Sequence, residues 1–94
     1  MKPEQAQSVR RLLEDALAGA EIELGKAAAG IQTIGSRENL AFIQRKLREM
    51  LDSLAVGQKI GTPGLWRIIA DTWPHTDRLG QKIVTAELAY ERLK

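Results

Sequence analysis

The stretch "DRLGQKIVTAELAYERL", Asp77 to Leu93, decides the fold. Leu79, Ile83, Ala86, Tyr90 and Leu93 follow one another at alternating four- and three-residue steps, an apolar seam close to a heptad. Thr76 or Asp77 stands just before it, where a side-chain oxygen can accept a bond from the free amides of a first helical turn. Upstream, Trp73 precedes Pro74, and the proline disfavours the helical conformation at the residue before it. A helix arriving at this point has to stop. A helix, a hard corner and a second helix are therefore expected around "IIADTWPHTDRLG", Ile68 to Gly80.

The same signals recur towards the N-terminus. Thr62 followed by Pro63 is a hydroxyl cap and a proline at the first helical position, predicting a short helix from about Pro63 to Thr72. Ser36, with Glu38 in the first turn, opens a longer one. Its buried stripe is Leu40, Ile43, Leu47, Met50 or Leu51, and Leu54, with Phe42 at its flank and Gly57 as terminator. The first helix carries Ala6, Val9, Leu13, Ala16, Leu17, Ala20 and Leu24 on one face, with Pro3 in its first turn and Gly25 as the expected stop. Gly19 inside that pattern costs about 1 kcal/mol relative to alanine unless close packing requires it. Two connectors remain. "GKAAAGIQTIGS", Gly25 to Ser36, is expected to tuck Ile31 and Ile34 under the core, and "GQKIGTPG", Gly57 to Gly64, reads as a flexible linker. Period-two alternation is nowhere sustained, so no strand is called for. The expectation is an all-α fold: a small antiparallel helical bundle of three long helices and one short helix, in a single domain spanning residues 1–94.

Composition narrows the function classes. Hydrophobic residues at 44% and charged residues at 28% are the proportions of a globular protein rather than a disordered one. Fourteen basic against twelve acidic residues leave +2, and no segment is basic enough to make nucleic acid the default partner. With no cysteine there is no disulfide framework and no thiolate chemistry. One histidine and no acidic loop of calcium-binding spacing leave no metal site and no cofactor expected. "GQKIGTPG" lacks the Gly-Lys-Ser/Thr ending of a phosphate-binding loop. The polar N-terminus carries no secretory signal and no window is apolar enough to cross a membrane, so a cytoplasmic protein is expected.

Both tryptophans and the one histidine fall between Gly64 and Gly80. Trp66 and Trp73 are seven residues apart, which on an unbroken helix puts them on one face. Trp66 reads chiefly as core. Trp73, at a helix end, reads either as core or as the edge of an interface, displayed with His75 by the proline corner. His75 could act as a base oriented by Asp71 or Asp77, but Pro74 spoils the shared face with Asp71, and a surface-loop histidine is the expected reading. Glu14, Asp15, Glu21 and Glu23 crowd the second half of the first helix, either as a solvated face or as an acidic patch for a basic partner. A helix-turn-helix, with Arg78 and Lys82 reaching a DNA groove, is disfavoured because Asp77, Glu87 and Glu91 punctuate the would-be recognition helix.

"SRENLAFIQRKLREML", Ser36 to Leu51, resembles the second helix of small all-helical immunity proteins that protect bacteria from type VI secretion effectors, most closely the group neutralising NAD(P)-degrading toxins. The resemblance rests on Ser36, Glu38, Leu40, the Phe42-Ile43 pair and Leu47. "DTWPHTDRLGQKIVTAELAY", Asp71 to Tyr90, is similar to that family's proline-containing acidic turn and leucine-initiated last helix. It implies a cytoplasmic antitoxin that blocks a cognate secreted toxin by stoichiometric protein–protein binding and is no enzyme. On this reading the partner-binding candidates are Trp73, His75, Glu14, Asp15, Glu21 and Glu23. The competing expectation is a non-catalytic adaptor or a homo-oligomeric structural protein, such as a homodimer using the last-helix seam; weak nucleic-acid binding comes after these.

Overall fold

The computed structural model describes residues 2–62 and 64–93. Four helices follow one another, α1 (Pro3–Ala28), α2 (Arg37–Ala55), α3 (Leu65–Thr72) and α4 (Arg78–Glu91), and no strand occurs among the described residues. The 26 residues of α1 extend about 39 Å at 1.5 Å per residue, close to the 41 Å long axis of the molecule. That helix is the spine. α2 and α4 both pack on it, and α3 packs on α4.

The expected apolar stripes meet in one core. Leu13, Ala16 and Ala20 of α1, Leu40, Ile43, Leu47 and Met50 of α2, and Ile83, Ala86 and Tyr90 of α4 are all fully buried. Gly19 answers its own question: a Cβ there would stand 2.6 Å from Leu79 Cδ1, so the missing side chain lets α4 approach α1. The α4 seam is therefore consumed within the chain, and a homo-oligomer would have to use another face.

Helix α1 does not stop at Gly25. The alanines Ala27 and Ala28 carry it onward, as the strongest helix formers do, and the stop falls at Gly30, whose φ of 81° is the left-handed conformation glycine adopts freely. There Ile31 N–H donates to Lys26 O at 2.9 Å and Gly30 N–H to Ala27 O at 3.1 Å, the paired bonds that satisfy the last carbonyls of a helix. The same arrangement ends α2: Gly57 has φ 71°, Gln58 N–H donates to Ser53 O and Gly57 N–H to Leu54 O. Ser36 caps α2 and Asp77 caps α4, each side chain accepting from the amide three residues on. The Thr62 cap is not used: α3 begins at Leu65 behind Gly64, and Pro63 lies outside the described residues.

The linker before α3 is pinned at Lys59 and Ile60 rather than free. Ile60 N–H donates to Tyr90 Oη at 2.7 Å, and Tyr90 Oη and Ser53 Oγ are 2.7 Å apart. Ser53 gives its single proton to Met50 O at 2.7 Å, so Tyr90 is the donor to Ser53 and the chain of bonds is complete. Lys59 Nζ donates to the carbonyls of Glu91 and Leu93, placing a cation at the negative end of α4.

Trp66, expected in the core, is exposed, and of the two readings of Trp73 the core one holds. Trp73 is 4% exposed and Trp66 43%. Residue 73 leaves the helix with φ −111° and ψ 149°, which swings its indole off the Trp66 face and into the molecule. The ring lies against Gly35 and Gly80, where added Cβ atoms would meet it at 2.8 and 3.3 Å. It fills the space expected for the connector isoleucines, and Ile31 and Ile34 remain exposed. The indole N–H is buried without an acceptor among the described residues. An unmade bond costs about 1–3 kcal/mol, whereas burying about 150–250 Å² of ring at ~25 cal/mol per Å² contributes about 4–6 kcal/mol. Packing wins. Trp73→Ala is expected to lower unfolding free energy by about 3–5 kcal/mol, measured by urea denaturation; a loss below about 1 kcal/mol would mean the ring is dispensable.

Candidate binding site in the α3–α4 groove

Eight-residue α3 is too short to persist alone, and its first residue follows a glycine that has no side chain to cap it. The cap comes from another helix. Glu87 of α4 is fully buried, and its carboxylate accepts from Leu65 N–H at 2.8 Å and from Trp66 N–H at 2.9 Å. Two charge-assisted bonds and the positive end of α3 offset the desolvation of that carboxylate. Glu87 was legible only as a helix-surface charge. Its spacing, four residues after Ile83 and three before Tyr90, does put it on the buried side of α4, a signal that the heptad stripe through Ala86 passes over.

Pinned in this way, α3 and α4 enclose an open groove of about 310 Å³, lined by Trp66, Ile69, Ala70, Pro74, His75 and Val84 among others. Trp66 forms one wall, with the Arg67 guanidinium 5.3 Å from its ring centroid. Along α4 the groove shares Gln81 and Thr85 with a neighbouring hollow that adds Leu12, Asp15, Arg78 and Lys82. His75 is exposed at the corner as expected, and Gln81 Nε2 donates to its carbonyl at 3.0 Å, holding the turn. His75 thus does share a surface with a tryptophan, but the tryptophan is Trp66. Trp73 lies inside, behind them.

Glu14, Asp15, Glu21 and Glu23 do not make a free acidic patch. Each faces a cation of the same chain: Arg10 at 3.8 Å from Glu14, Lys82 of α4 at 3.3 Å from Asp15, Arg48 of α2 at 3.5 Å from Glu21, and Lys26 at 3.2 Å from Glu23. The last is an ion pair without hydrogen-bond geometry, since Glu23 Oε2 is buried and accepts no bond. Asp15 turns to α4 and Glu21 to α2, so the carboxylates also point apart. The three exposed pairs, at Glu14, Asp15 and Glu21, contribute about 0–1 kcal/mol each. Of the acidic residues that punctuate α4, Asp77 is an N-cap and Glu87 is buried, while Lys82 reaches Asp15.

Among the described residues, no three His, Cys, Asp or Glu side chains converge as a metal site, and no helix is long and apolar enough to cross a membrane. No family model, curated protein or solved structure matches this chain.

Replacing Glu87 by glutamine keeps the shape but turns one acceptor into a donor facing an N–H. Glu87→Gln is expected to cost about 1–3 kcal/mol and to speed hydrogen exchange at Leu65 and Trp66 far more than at Leu47 or Ile83. Uniform acceleration across all four helices would show that the carboxylate holds the whole fold and not α3.

Proposed function

We propose that this protein is a non-catalytic binding protein of the immunity type, which neutralises a secreted bacterial toxin in the cytoplasm by covering a functional surface of it. The observation that carries the reading is Trp66: a tryptophan 43% exposed, stacked with an arginine, beside an apolar groove on a braced helix. Tryptophan and arginine dominate binding hot spots because they bury much area and lose little conformational freedom when held rigid. The reading takes α2 and α4 as antiparallel neighbours of α1. Pro3 and Ala6 border a hollow with Leu54 and Ala55, and Val9 borders one with Ala89 and Leu93, which supports that arrangement. The resemblance of Ser36–Leu51 and Asp71–Tyr90 to type VI immunity proteins supplies the toxin as partner.

Co-expression with the toxin encoded by a neighbouring gene tests it. The two chains are expected to co-purify in equal amounts and the cells to survive. Trp66→Ala is expected to weaken the complex by roughly 30-fold or more, the ~2 kcal/mol of a hot-spot residue, with an unchanged melting temperature. Cells dying equally with and without this protein would refute the reading for that toxin.

A further inference from the structure

We infer that the α3–α4 groove takes an uncharged, extended segment of the partner protein, its proline and aliphatic side chains seated between Trp66 and the Pro74–His75 corner. This deepens the binding reading above and rests on it.

The lining decides the chemistry of the occupant. Trp66, Ala70 and Pro74 line the groove from the α3 side, and Gln81, Val84 and Thr85 from the α4 side. No Asp, Glu, Lys or Arg is among the lining residues, and His75 is the one ionisable side chain there. A charged side chain entering the groove would lose water and meet no counter-charge, which is costly. The surrounding chain has no preferred sign either. From Leu65 to Gln81 the cations Arg67 and Arg78 are equalled by Asp71 and Asp77, and Lys82 is paired with Asp15. No net field is left to select an acidic or a basic partner. An uncharged groove takes an uncharged segment.

Length and hydrogen bonding decide the conformation. The eight residues of α3 extend about 12 Å at ~1.5 Å each, the length of about four residues of polyproline II at ~3.1 Å. No strand occurs among the described residues, so an extended chain cannot be held here by strand pairing. Polyproline II needs no such pairing, and its carbonyls are free to accept. The groove offers donors to them. Thr72 returns its hydroxyl to the carbonyl four residues back, whereas Thr85 makes no such bond among the described residues and keeps its hydroxyl for the groove. Gln81 Nε2 carries a second N–H beyond the one given to His75 O. Trp66 adds an indole N–H at the exposed edge. Arg67 lies over the Trp66 ring without lining the groove, so the indole still has apolar surface for a proline ring. Proline also has no N–H to leave unpaired, and its fixed φ lowers the cost of ordering the segment. A helix is the poorer occupant, because its carbonyls are already used within it and the groove's donors would go unmatched.

The probe is a short peptide of Pro and Leu, capped at both ends to remove its terminal charges, titrated into the full chain and followed by NMR. It is expected to shift the Trp66 indole and His75 signals while Trp73 stays nearly unmoved. Versions carrying a central Asp or a central Lys are each expected to bind roughly ten-fold more weakly. Raising the salt concentration is expected to leave the affinity unchanged, since no ion pair is screened. Trp66→Ala and Ala70→Glu, each verified as folded by circular dichroism, are expected to abolish binding, and Arg78→Ala to leave it unchanged. Tighter binding of either charged version, loss of affinity at high salt, equal uptake of an uncharged helical peptide, or no binding up to millimolar concentration would overturn the inference. So would self-association abolished by Trp66→Ala. A toxin complex weakened by Trp66→Ala, with the proline peptide neither binding nor competing, sinks the extended segment and leaves the immunity reading standing. Peptide binding without any toxin complex does the reverse.

Discussion

The surface of this molecule depends on one carboxylate turned inward. Glu87 holds the first two free amides of α3, and α3 packs on no other helix as extensively as on α4. Eight residues cannot maintain a helix against their own entropy, so α3 exists because α4 caps it and because Leu65, Ile69 and Trp73 are buried. The position of Trp66 follows: its own amide is one of the two that Glu87 holds. The residue that displays the groove is thus invisible from the groove, and its carboxylate is held by backbone amides and not by a cation. The Tyr90–Ser53–Met50 chain does the same for linker 57–64, fastening Ile60 one turn further along α4. α4 acts as a rail to which both segments preceding and forming α3 are attached.

Most of the helices were legible because their signals are local. Stripes at three- and four-residue spacing, Ser36 and Asp77 as caps, Gly57 as a stop and Pro74 as a breaker each act within one turn of chain, and each is found where expected. The readings that failed required knowledge of what lies across the molecule. Gly25 was a reasonable stop, but nothing at Gly25 tells that the alanines beyond it continue into a better terminus at Gly30. Thr62 was a sound cap by sequence, and lost to a glutamate more than twenty residues away. The acidic residues of α1 read either as a solvated face or as a patch, and the sequence does not show the cations that stand beside them. Their partners, Lys82 and Arg48, belong to helices whose placement no local pattern gives.

The placement of the two tryptophans has the same origin and the largest consequence. A seven-residue spacing implies a common face only while the helix persists between the two positions. Pro74 ends it one residue too early, and the extended backbone at Trp73 turns the second ring through the wall of the molecule. Of the two readings of Trp73, core or displayed edge, the corner takes the first and drives the ring inward, where Gly35 and Gly80 leave room for it. Core and display are separated as a result. Trp73 ties the α1–α2 connector to the start of α4 and can be altered only at the expense of the fold, while Trp66 projects from a helix already fixed by other contacts. A binding surface built this way can change its side chains at Trp66, Arg67 and Ala70 without disturbing what braces it. Of the groove residues, Ile69 is buried and Gln81 holds the His75 carbonyl, so these two brace the face, while Trp66 and Ala70 lie exposed along it.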